Sequence, residues 1–289
     1  MTKAPRGIGL GFRVGMAERF LEEAPEIVGW VEVHPENYIG RGGRYRDYLK
    51  RAMERWPVVT HGLSTCLGDT DPSDAEYLAQ LRSFLGDVGT PWHSEHLCFG
   101  SVGGAALHDL LPLPFTEEAA TLAARRLDEV RSAVDVELAF ENVSYYAPQP
   151  TEMGDESGLE EATFCAEVLE RTDAKILLDV NNVYVNSQNF GFDPRAFIDR
   201  IPPERVIQMH VAGHFVRDDG LRIDTHGSSV CEDVYDLLDY TLRHVGPVPV
   251  LLERDNDIPP LEELIAEVER LDAIYQRATA EAPRAAVAP

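Results

Sequence analysis

The 289-residue sequence is poor in cysteine and contains no long apolar run. Its four cysteines, Cys66, Cys98, Cys165 and Cys231, form no C-x-x-C pair, which argues against a zinc ribbon or a thioredoxin-like motif. No apolar stretch is long enough to span a bilayer, and no apolar signal-peptide core follows Met1. We therefore expect a soluble cytoplasmic protein whose cysteines are mostly buried in a reducing environment.

Positive charge is also scarce, because 26 Lys and Arg residues stand against 50 Asp and Glu residues, for a net charge of -24. Such a chain repels nucleic acid phosphates unless it carries a concentrated basic patch. The densest basic cluster, Arg41, Arg44 and Arg46, is small. We expect neither nucleic acid nor a membrane as a partner. The glycines of residues 7–11 fall within a strand pattern, without the turn into a helix that a dinucleotide site requires.

Short apolar runs alternate with amphipathic helical patterns along nearly the whole chain. Runs that are apolar on both faces are typical of strands in a buried parallel sheet. Eight strands are predicted, at residues 8–12, 30–34, 58–62, 92–96, 136–142, 175–182, 206–211 and 248–253. This alternation favours an α/β fold, a single (β/α)8 TIM barrel over residues 1–276 with a flexible tail at residues 277–289. An open doubly wound sheet is the alternative.

The predicted helices carry apolar residues at helical spacing. They are expected at residues 14–23, 45–56, 74–88, 116–134, 159–171, 234–245 and 260–274. Residues 73–76 read as a capping box at the start of the third helix. Residues 100–116, 145–158 and 183–192 are predicted to be long loops, and loops of this length often cover a site.

Six predicted strands end at or near a residue that can bind a metal ion. These residues are His61, His96, Glu141, Asp179, His210 and Glu253, and a predicted loop adds Asp224 and His226. In a barrel, side chains at the C-terminal strand ends converge on one mouth. Carboxylates that end apolar strands need a compensating charge there. Because imidazole and carboxylate ligands together suit Zn, Fe or Mn, the pattern predicts a metal site.

Each of these residues has a structural alternative when it is taken alone. A single strand-end histidine is more often structural, and Glu253 can instead pair with Arg254 or Arg222. Alternation along the strand also places His93 and His96 on opposite faces, so one of the two is not a ligand. We favour metal binding because the pattern recurs on six strands.

Seven motifs occur in order between residues 32 and 227. They are EVHPEN (32–37), SEHL (94–97), HDLLPLP (108–114), EN (141–142), LDVNNVY (178–184), HVAGH (210–214) and DTHG (224–227). Together they resemble the DUF692 family, the multinuclear non-heme iron-dependent oxidases, over about residues 7–271. The resemblance implies a xylose-isomerase-like barrel, two or three iron ions and O2 as co-substrate. It also implies a ribosomally made precursor peptide, modified at cysteine, and a small partner protein that delivers the peptide.

The resemblance, with a more distant one to endonuclease-IV-like barrels, also implies roles for individual residues. The implied ligands of a first metal are His61, His96 and Glu141. Glu141 would bridge to a second metal, whose further ligands are Asp179, His210 and Glu253. The implied ligands of a third metal are Asp224, His226 and Asn182. The candidates for catalytic residues, which would orient ligands or move protons, are Asn142, Asn181 and His214.

Other functions remain alternatives. Asn182 stands where the nucleases carry a third-site histidine, and together with the acidic composition this argues against a nuclease. A zinc or manganese isomerase or hydrolase on the same barrel is the second candidate. The third is a non-catalytic, metal-binding member of a peptide-maturation complex.

Overall fold

Eight parallel strands close into a barrel with helices packed around it, in a computed structural model that describes residues 4–103, 105–151, 153–155 and 157–281. The side chains of residues 102, 106, 108 and 281 are outside this description. In chain order the strands are β1 (Ile8–Gly11), β2 (Trp30–Val33), β3 (Val58–His61), β4 (Trp92–His96), β5 (Cys98–Val102), β6 (Ala105–Pro112), β7 (Glu137–Glu141), β8 (Lys175–Asp179), β9 (Val206–Val211), β10 (His214–Val216), β11 (Arg222–Asp224) and β12 (Val250–Leu252). The barrel order β1-β12-β9-β8-β7-β4-β3-β2 confirms the predicted (β/α)8 fold.

The helices lie between the barrel strands, as the sequence predicts. They are α1 (Ala17–Glu23), α2 (Arg44–Arg55), α3 (Ala75–Val88), α4 (Glu117–Ala133), α5 (Glu161–Arg171), α6 (Val180–Phe190), α7 (Pro194–Arg200), α8 (Glu232–Val245) and α9 (Leu261–Glu281). Because α9 runs to Glu281, residues 277–281 of the predicted tail are helical, and residues 282–289 lie outside the described part. No helix within the described residues is long and apolar enough to cross a membrane.

Two apolar layers stabilise the barrel. A large cluster fills the space between the sheet and the helices. A smaller one, Trp30, Val59, Trp92 and Leu251, lies inside the barrel. A Cβ on Gly9 would lie 2.4 Å from the Trp30 ring, so glycine at this position makes room for the indole. Val59 and Leu251 precede the ligand candidates His61 and Glu253 by two positions on the same face, so this cluster closes the barrel below the C-terminal mouth.

The prediction of a loop at residues 100–116 is wrong over most of its length. β5 and β6 form an antiparallel hairpin in which Cys98 pairs with Pro112 and Val102 with Ala105. Gly103 has a φ of 57°, a left-handed conformation that glycine adopts without a steric penalty. Gly103 therefore lies in the turn of this hairpin. Residues 145–158 do form a loop where they are described, apart from an isolated bridge between Gly158 and Thr116.

The predicted strand at residues 175–182 ends early, and the loop predicted at residues 183–192 is wrong, because α6 begins at Val180. The Asp179 side chain caps this helix by accepting a hydrogen bond from the Asn182 backbone N–H at 2.6 Å. The buried Asn186 amide donates to the Val143 carbonyl oxygen at 3.1 Å. Tertiary hydrogen bonds thus override the low helix propensity of an Asn-rich segment.

The capping prediction for α3 is shifted by one residue. The N-cap is Asp74, whose carboxylate accepts from the backbone N–H groups of Glu76 at 2.8 Å and Tyr77 at 3.3 Å. A carboxylate at this position also favours the positive end of the helix dipole. The predicted start of the helix is therefore close to the observed one, although the capping residue differs.

Candidate metal centre

The C-terminal mouth of the barrel gathers buried histidines and carboxylates. His61, Glu141 and Asp179 are the last residues of β3, β7 and β8, and Glu253 directly follows β12. His210 lies near the end of β9. All five are at most 3% exposed. Burying so many ionisable groups is costly unless they are paired or coordinate a metal.

A first group consists of His61, His96 and Glu141, whose ligand atoms lie within 4.8 Å of one another. Nε2 of His61 lies 2.9 Å from Oε2 of Glu141 and 3.2 Å from Nε2 of His96. The other ring nitrogens are engaged elsewhere: Nδ1 of His61 lies 2.8 Å from Oγ of Ser94, and Nδ1 of His96 lies 3.1 Å from the carbonyl oxygen of Gly62. Both imidazoles therefore present Nε2 to the same point beside Glu141.

His93 lies apart from this group, on the opposite face of β4. Its Nε2 is 2.9 Å from Oε1 of Glu95, and its Nδ1 is 3.0 Å from Oγ1 of Thr60. His96 is therefore the residue of the two that the structure places beside His61, as alternation along the strand allows.

A second group consists of Glu141, Asp179, His210 and Glu253, whose ligand atoms also lie within 4.8 Å of one another. Nδ1 of His210 is 3.1 Å from Oε2 of Glu253 and 3.5 Å from Oε1 of Glu141. Asp179 has one oxygen on the α6 N-terminus and the other free for a ligand role. Glu141 belongs to both groups, with Oε2 toward the first and Oε1 toward the second.

Five buried side-chain atoms of the ligand candidates have no hydrogen-bond partner among the described residues. They are Glu141 Oε2, Asp179 Oδ2, Asn182 Oδ1, His210 Nδ1 and His226 Nε2. Some lie within ion-pair distance of a neighbour but without the geometry of a hydrogen bond. Buried polar atoms are rarely left unpaired in native proteins. Coordination of metal ions would satisfy all five, and mixed imidazole and carboxylate donors fit Fe, Zn or Mn.

The charges of the clustered ligand candidates shift one another's pKa values. Burial raises the pKa of Glu141, but the charges of His61 and His210 outweigh this effect and hold the pKa well below its usual range. Burial lowers the pKa of His61, whereas the Glu141 carboxylate raises it, to about 9. The pKa of Asp179 is raised well above its usual value by burial and by the charges of Glu141 and Asp224. Metal binding at these groups must therefore displace protons.

Asp224 and His226 lie together beside the second group. Nε2 of His226 is 2.8 Å from Oδ1 of Asp224, and Nδ1 of His226 is 3.6 Å from Oε2 of Glu253. Asn182 uses its amide N–H to donate to the carbonyl oxygen of Asn142 at 3.1 Å, which leaves its Oδ1 unpaired. A third ion held by Asp224, His226 and Asn182 stays a prediction.

The three predicted catalytic residues make different contacts. The Asn142 side chain makes two hydrogen bonds to the backbone of Asp179. Its Oδ1 accepts from the Asp179 N–H at 2.9 Å, and its Nδ2 donates to the Asp179 carbonyl oxygen at 3.1 Å. It therefore fixes the relative position of β7 and β8. Asn181 links the site to its rim, because its Nδ2 donates to Oδ1 of Asp224 at 2.8 Å and its Oδ1 lies 2.9 Å from Nδ1 of His214.

The family match covers most of the chain. Residues 7–276 match the family described as RiPP precursor modification enzyme MbnB/TglH/ChrH. The chain belongs to this family. The UPF0276 protein of Shewanella loihica is 37% identical over 286 residues, covering 99% of this chain and 100% of the relative. The UPF0276 protein of Pseudomonas aeruginosa is 42% identical over 271 residues, covering 94% and 93%. The predicted DUF692 resemblance is confirmed, and the family implies a precursor peptide as substrate.

Solved structures with the same barrel are more distant. A xylose isomerase domain protein from Planctomyces limnophilus has a TM-score of 0.60 at 14% identity, covering 96% of this chain and 99% of that one. A sugar phosphate isomerase/epimerase from Parabacteroides distasonis has a TM-score of 0.58 at 14% identity, covering 96% of each chain. These likenesses confirm the xylose-isomerase-like fold and carry no statement about the activity of this MbnB/TglH/ChrH family member.

The sequence reasoning missed a carboxylate behind the second group. Oε2 of Glu32 lies 3.1 Å from Nε2 of His210 and accepts from Nε2 of Gln208 at 2.6 Å. A carboxylate on the far nitrogen of a metal-binding imidazole fixes its orientation and increases its basicity. The signal in the sequence is an isolated Glu within the apolar strand β2.

The partner of Glu253 was also missed. Nη2 of Arg13 donates to Oε1 of Glu253 at 3.0 Å. Arg254, proposed from the sequence as a partner, instead donates to Glu267 at 2.6 Å. Arg222, the other proposed partner, lies over the Tyr184 ring. Glu253 therefore pairs with a residue that is 240 positions away in the chain.

The mouth has an excess of negative charge. Its six carboxyl groups are Glu32, Glu141, Asp179, Asp224, Glu253 and Asp255, and its arginine is Arg13. Once metal binding has displaced the protons of Asp179 and of the histidines, six ionised carboxylates less one guanidinium leave five negative charges. Two or three divalent ions would neutralise most or all of them, which fits the number of ions implied for this family by the sequence.

Proposed function

We propose that this chain is an O2-dependent, multinuclear non-heme iron oxidase that modifies a cysteine of a ribosomally synthesised precursor peptide. The observation that carries the proposal is Glu141, one carboxylate that faces two adjacent ligand groups through its two oxygens. Family membership supports the peptide-modifying class. Iron held here would supply redox chemistry and open coordination positions for O2 and for the cysteine thiolate.

The residues behind the ligands hold them in place before a substrate arrives. Ser94 and Gly62 orient the two imidazoles of the first group. Glu32 orients His210 in the second group. Such fixed geometry lowers the reorganisation that binding and reaction require. We therefore assign ligand roles to His61, His96, Glu141, Asp179, His210 and Glu253, and to Asp224, His226 and Asn182 at a third ion.

His214 is the residue that we assign to proton transfer at the rim. Its Nδ1 lies 2.9 Å from the side-chain oxygen Oδ1 of Asn181, whose Nδ2 donates to Oδ1 of Asp224. This arrangement places the proton on Nδ1 and leaves the lone pair on Nε2. Burial lowers the pKa of His214, and the charge of Arg222 lowers it further, so the ring is neutral near pH 7. Nε2 can then accept a proton from the bound peptide.

The rim of the mouth carries exposed apolar side chains that suit a peptide. Six of them lie on segments that follow barrel strands: Leu63, Leu107, Tyr146, Met153, Phe215 and Val216. Exposed apolar residues grouped around a polar site are typical of a binding surface. We place the peptide across this rim, delivered by a small partner protein in the cytoplasm.

Coexpression with candidate peptides tests the proposal. The chain would be produced together with each short Cys-containing peptide encoded beside its gene, with and without O2, and the peptides analysed by mass spectrometry. We expect an O2-dependent mass change at a cysteine-bearing fragment, lost in Glu141→Gln and kept in Glu95→Gln. Modification that proceeds without O2, or iron-free protein that turns over a sugar, would contradict the oxidase and favour an isomerase or hydrolase.

A further inference from the structure

A series of polar contacts, buried at Glu253 and more exposed at Asp255, connects Arg13, which follows β1, with two of the proposed metal ligands. Arg13 is only 8% exposed. Its Nη2 donates to Oε1 of Glu253 at 3.0 Å, and its Nε donates to Oδ1 of Asp255. Oδ2 of Asp255 in turn lies 2.9 Å from Nδ1 of His226. One guanidinium thus contacts Glu253 directly and His226 through Asp255.

The contact on Glu253 determines which of its oxygens faces the site. Oε1 is occupied by Arg13, whereas Oε2 lies 3.1 Å from Nδ1 of His210. A guanidinium in this position holds the carboxylate rigidly, because its planar fork leaves little rotational freedom. Glu253 therefore offers one oxygen to a metal ion.

The contact on His226 determines its tautomer. Because Asp255 accepts the proton of Nδ1, the lone pair of the ring is on Nε2. Nε2 lies 2.8 Å from Oδ1 of Asp224 and has no hydrogen-bond partner among the described residues. A carboxylate bound to the far nitrogen is the usual way in which proteins orient a metal-binding histidine.

The backbone around His226 is held by the same segment. His226 has a φ of 50°, a left-handed conformation that is strained for a side chain of this size. Its carbonyl oxygen accepts from the backbone N–H of Asp255 at 3.2 Å. Nδ2 of Asn256 donates to the carbonyl oxygen of Thr225 at 2.8 Å. The segment after β12 therefore positions both the backbone and the ring of His226.

A separate cation site at His34, Glu253 and Asp255 is the competing explanation for these contacts. His34, Glu253 and Asp255 offer ligand atoms within 4.8 Å of one another. Arg13 already donates to both carboxylates, so a permanent cation serves them. This pairing favours a supporting role for the cluster over a further metal site.

We infer that Arg13 and Asp255 are positioning residues, which present Oε2 of Glu253 to the second ion and Nε2 of His226 to the third ion beside Asp224. The inference rests on the proposed function, because it needs a metal at this edge of the site. It also requires that Arg13 and Asp255 affect some of the metal ions and leave the ion of the first group unaffected. Neither residue contacts His61 or His96 in the hydrogen bonds and ion pairs of the described residues, so the ion of the first group should not depend on them.

The test is the iron content and the Mössbauer spectrum of three anaerobically loaded variants beside the parent chain. In Asp255→Asn we expect a 10- to 100-fold weaker affinity for one ion, about the loss seen when an outer partner of a ligand is removed. The signal of the first group should persist. Arg13→Lys keeps the charge without the fork, so the ions of Glu253 and of His226 should both bind more weakly, each by a smaller factor. Glu267→Gln, which alters the neighbouring pair with Arg254, should load like the parent.

The outcomes separate the inference from the proposed function. A parent chain that binds no iron contradicts the proposed function. A parent that loads fully, with an Asp255→Asn variant of identical iron content and spectrum, overturns the inference alone. So does an Asp255→Asn variant with a native circular dichroism spectrum that loses all its ions equally, because its role is then not selective. If Asp255→Asn does not fold, Arg13→Lys decides by the same two criteria.

Discussion

Glu141→Gln should weaken metal binding at both ligand groups at once. The substitution keeps the size of the side chain but replaces a shared anionic ligand by a neutral amide. Oε2 of Glu141 lies 2.9 Å from Nε2 of His61, and Oε1 lies 3.5 Å from Nδ1 of His210, so both groups lose the carboxylate that they share. A ligand role at one group only would leave the other ion in place.

The expected loss of affinity can be scaled from residues that hydrogen-bond to a metal ligand without touching the metal. Removing such a partner typically costs 10- to 100-fold in affinity. A direct ligand should cost at least the upper end of that range, so we expect about 100-fold at each of the two ions. That factor corresponds to roughly 2.7 kcal/mol per ion. At micromolar metal, both ions should be lost together.

The assay is anaerobic titration with ferrous iron, followed by elemental analysis after gel filtration. Glu95→Gln is the matched control. Glu95 is also fully buried, but it lies with its partner His93 on the face of β4 that points away from the ligand candidates. We expect the control to load like the parent. A Glu141→Gln protein that retains its full iron content would refute the bridging role, and one that loses a single ion would restrict Glu141 to one group.

Three further predictions concern protons, the helix cap and the barrel interior. Since the pKa of His61 is about 9, a metal ion must displace its proton below that pH. The apparent metal affinity should therefore fall, by up to about tenfold per pH unit for each displaced proton, as the pH drops from about 8 to about 6. Calorimetry in buffers of different ionisation enthalpy would count the released protons, and a pH-independent affinity would contradict the prediction. Asp179→Asn should keep the α6 cap, since Asn caps as well as Asp, yet weaken the second ion while the first stays bound; unchanged loading at both ions would argue against Asp179 as a ligand. Leu251→Ala should lower the free energy of unfolding by about 2–5 kcal/mol in urea denaturation, and a loss well below about 1 kcal/mol would show that the interior cluster matters less than its burial indicates.

The barrel could be predicted from the sequence because each strand is recognisable from its own short stretch of residues. Short apolar, β-branched runs set the strands, and the barrel fold then places every strand end on one ring. This is why His61, His96 and Glu141 were expected at one mouth, whereas their assignment to one ion was implied by the family resemblance. The same reasoning reached Asp179 and His210 at the second group.

What could not be predicted depends on contacts between distant parts of the chain. Arg13 meets Glu253 only because β1 and β12 are neighbours in the closed barrel. Its position after β1 has no local feature that marks a site residue. α6 was missed for a related reason, since the hydrogen bonds of Asn186 that favour a helix involve other segments. Glu32 could have been found, as a lone carboxylate in an apolar strand.

The most direct test of the central claim is the metal content of protein purified without oxygen, combined with a Mössbauer spectrum. The account predicts two or three iron ions per chain with high-spin ferrous signals, at least two of them lost in Glu141→Gln. Protein that carries only zinc or manganese, and that iron cannot reconstitute, would contradict the claim.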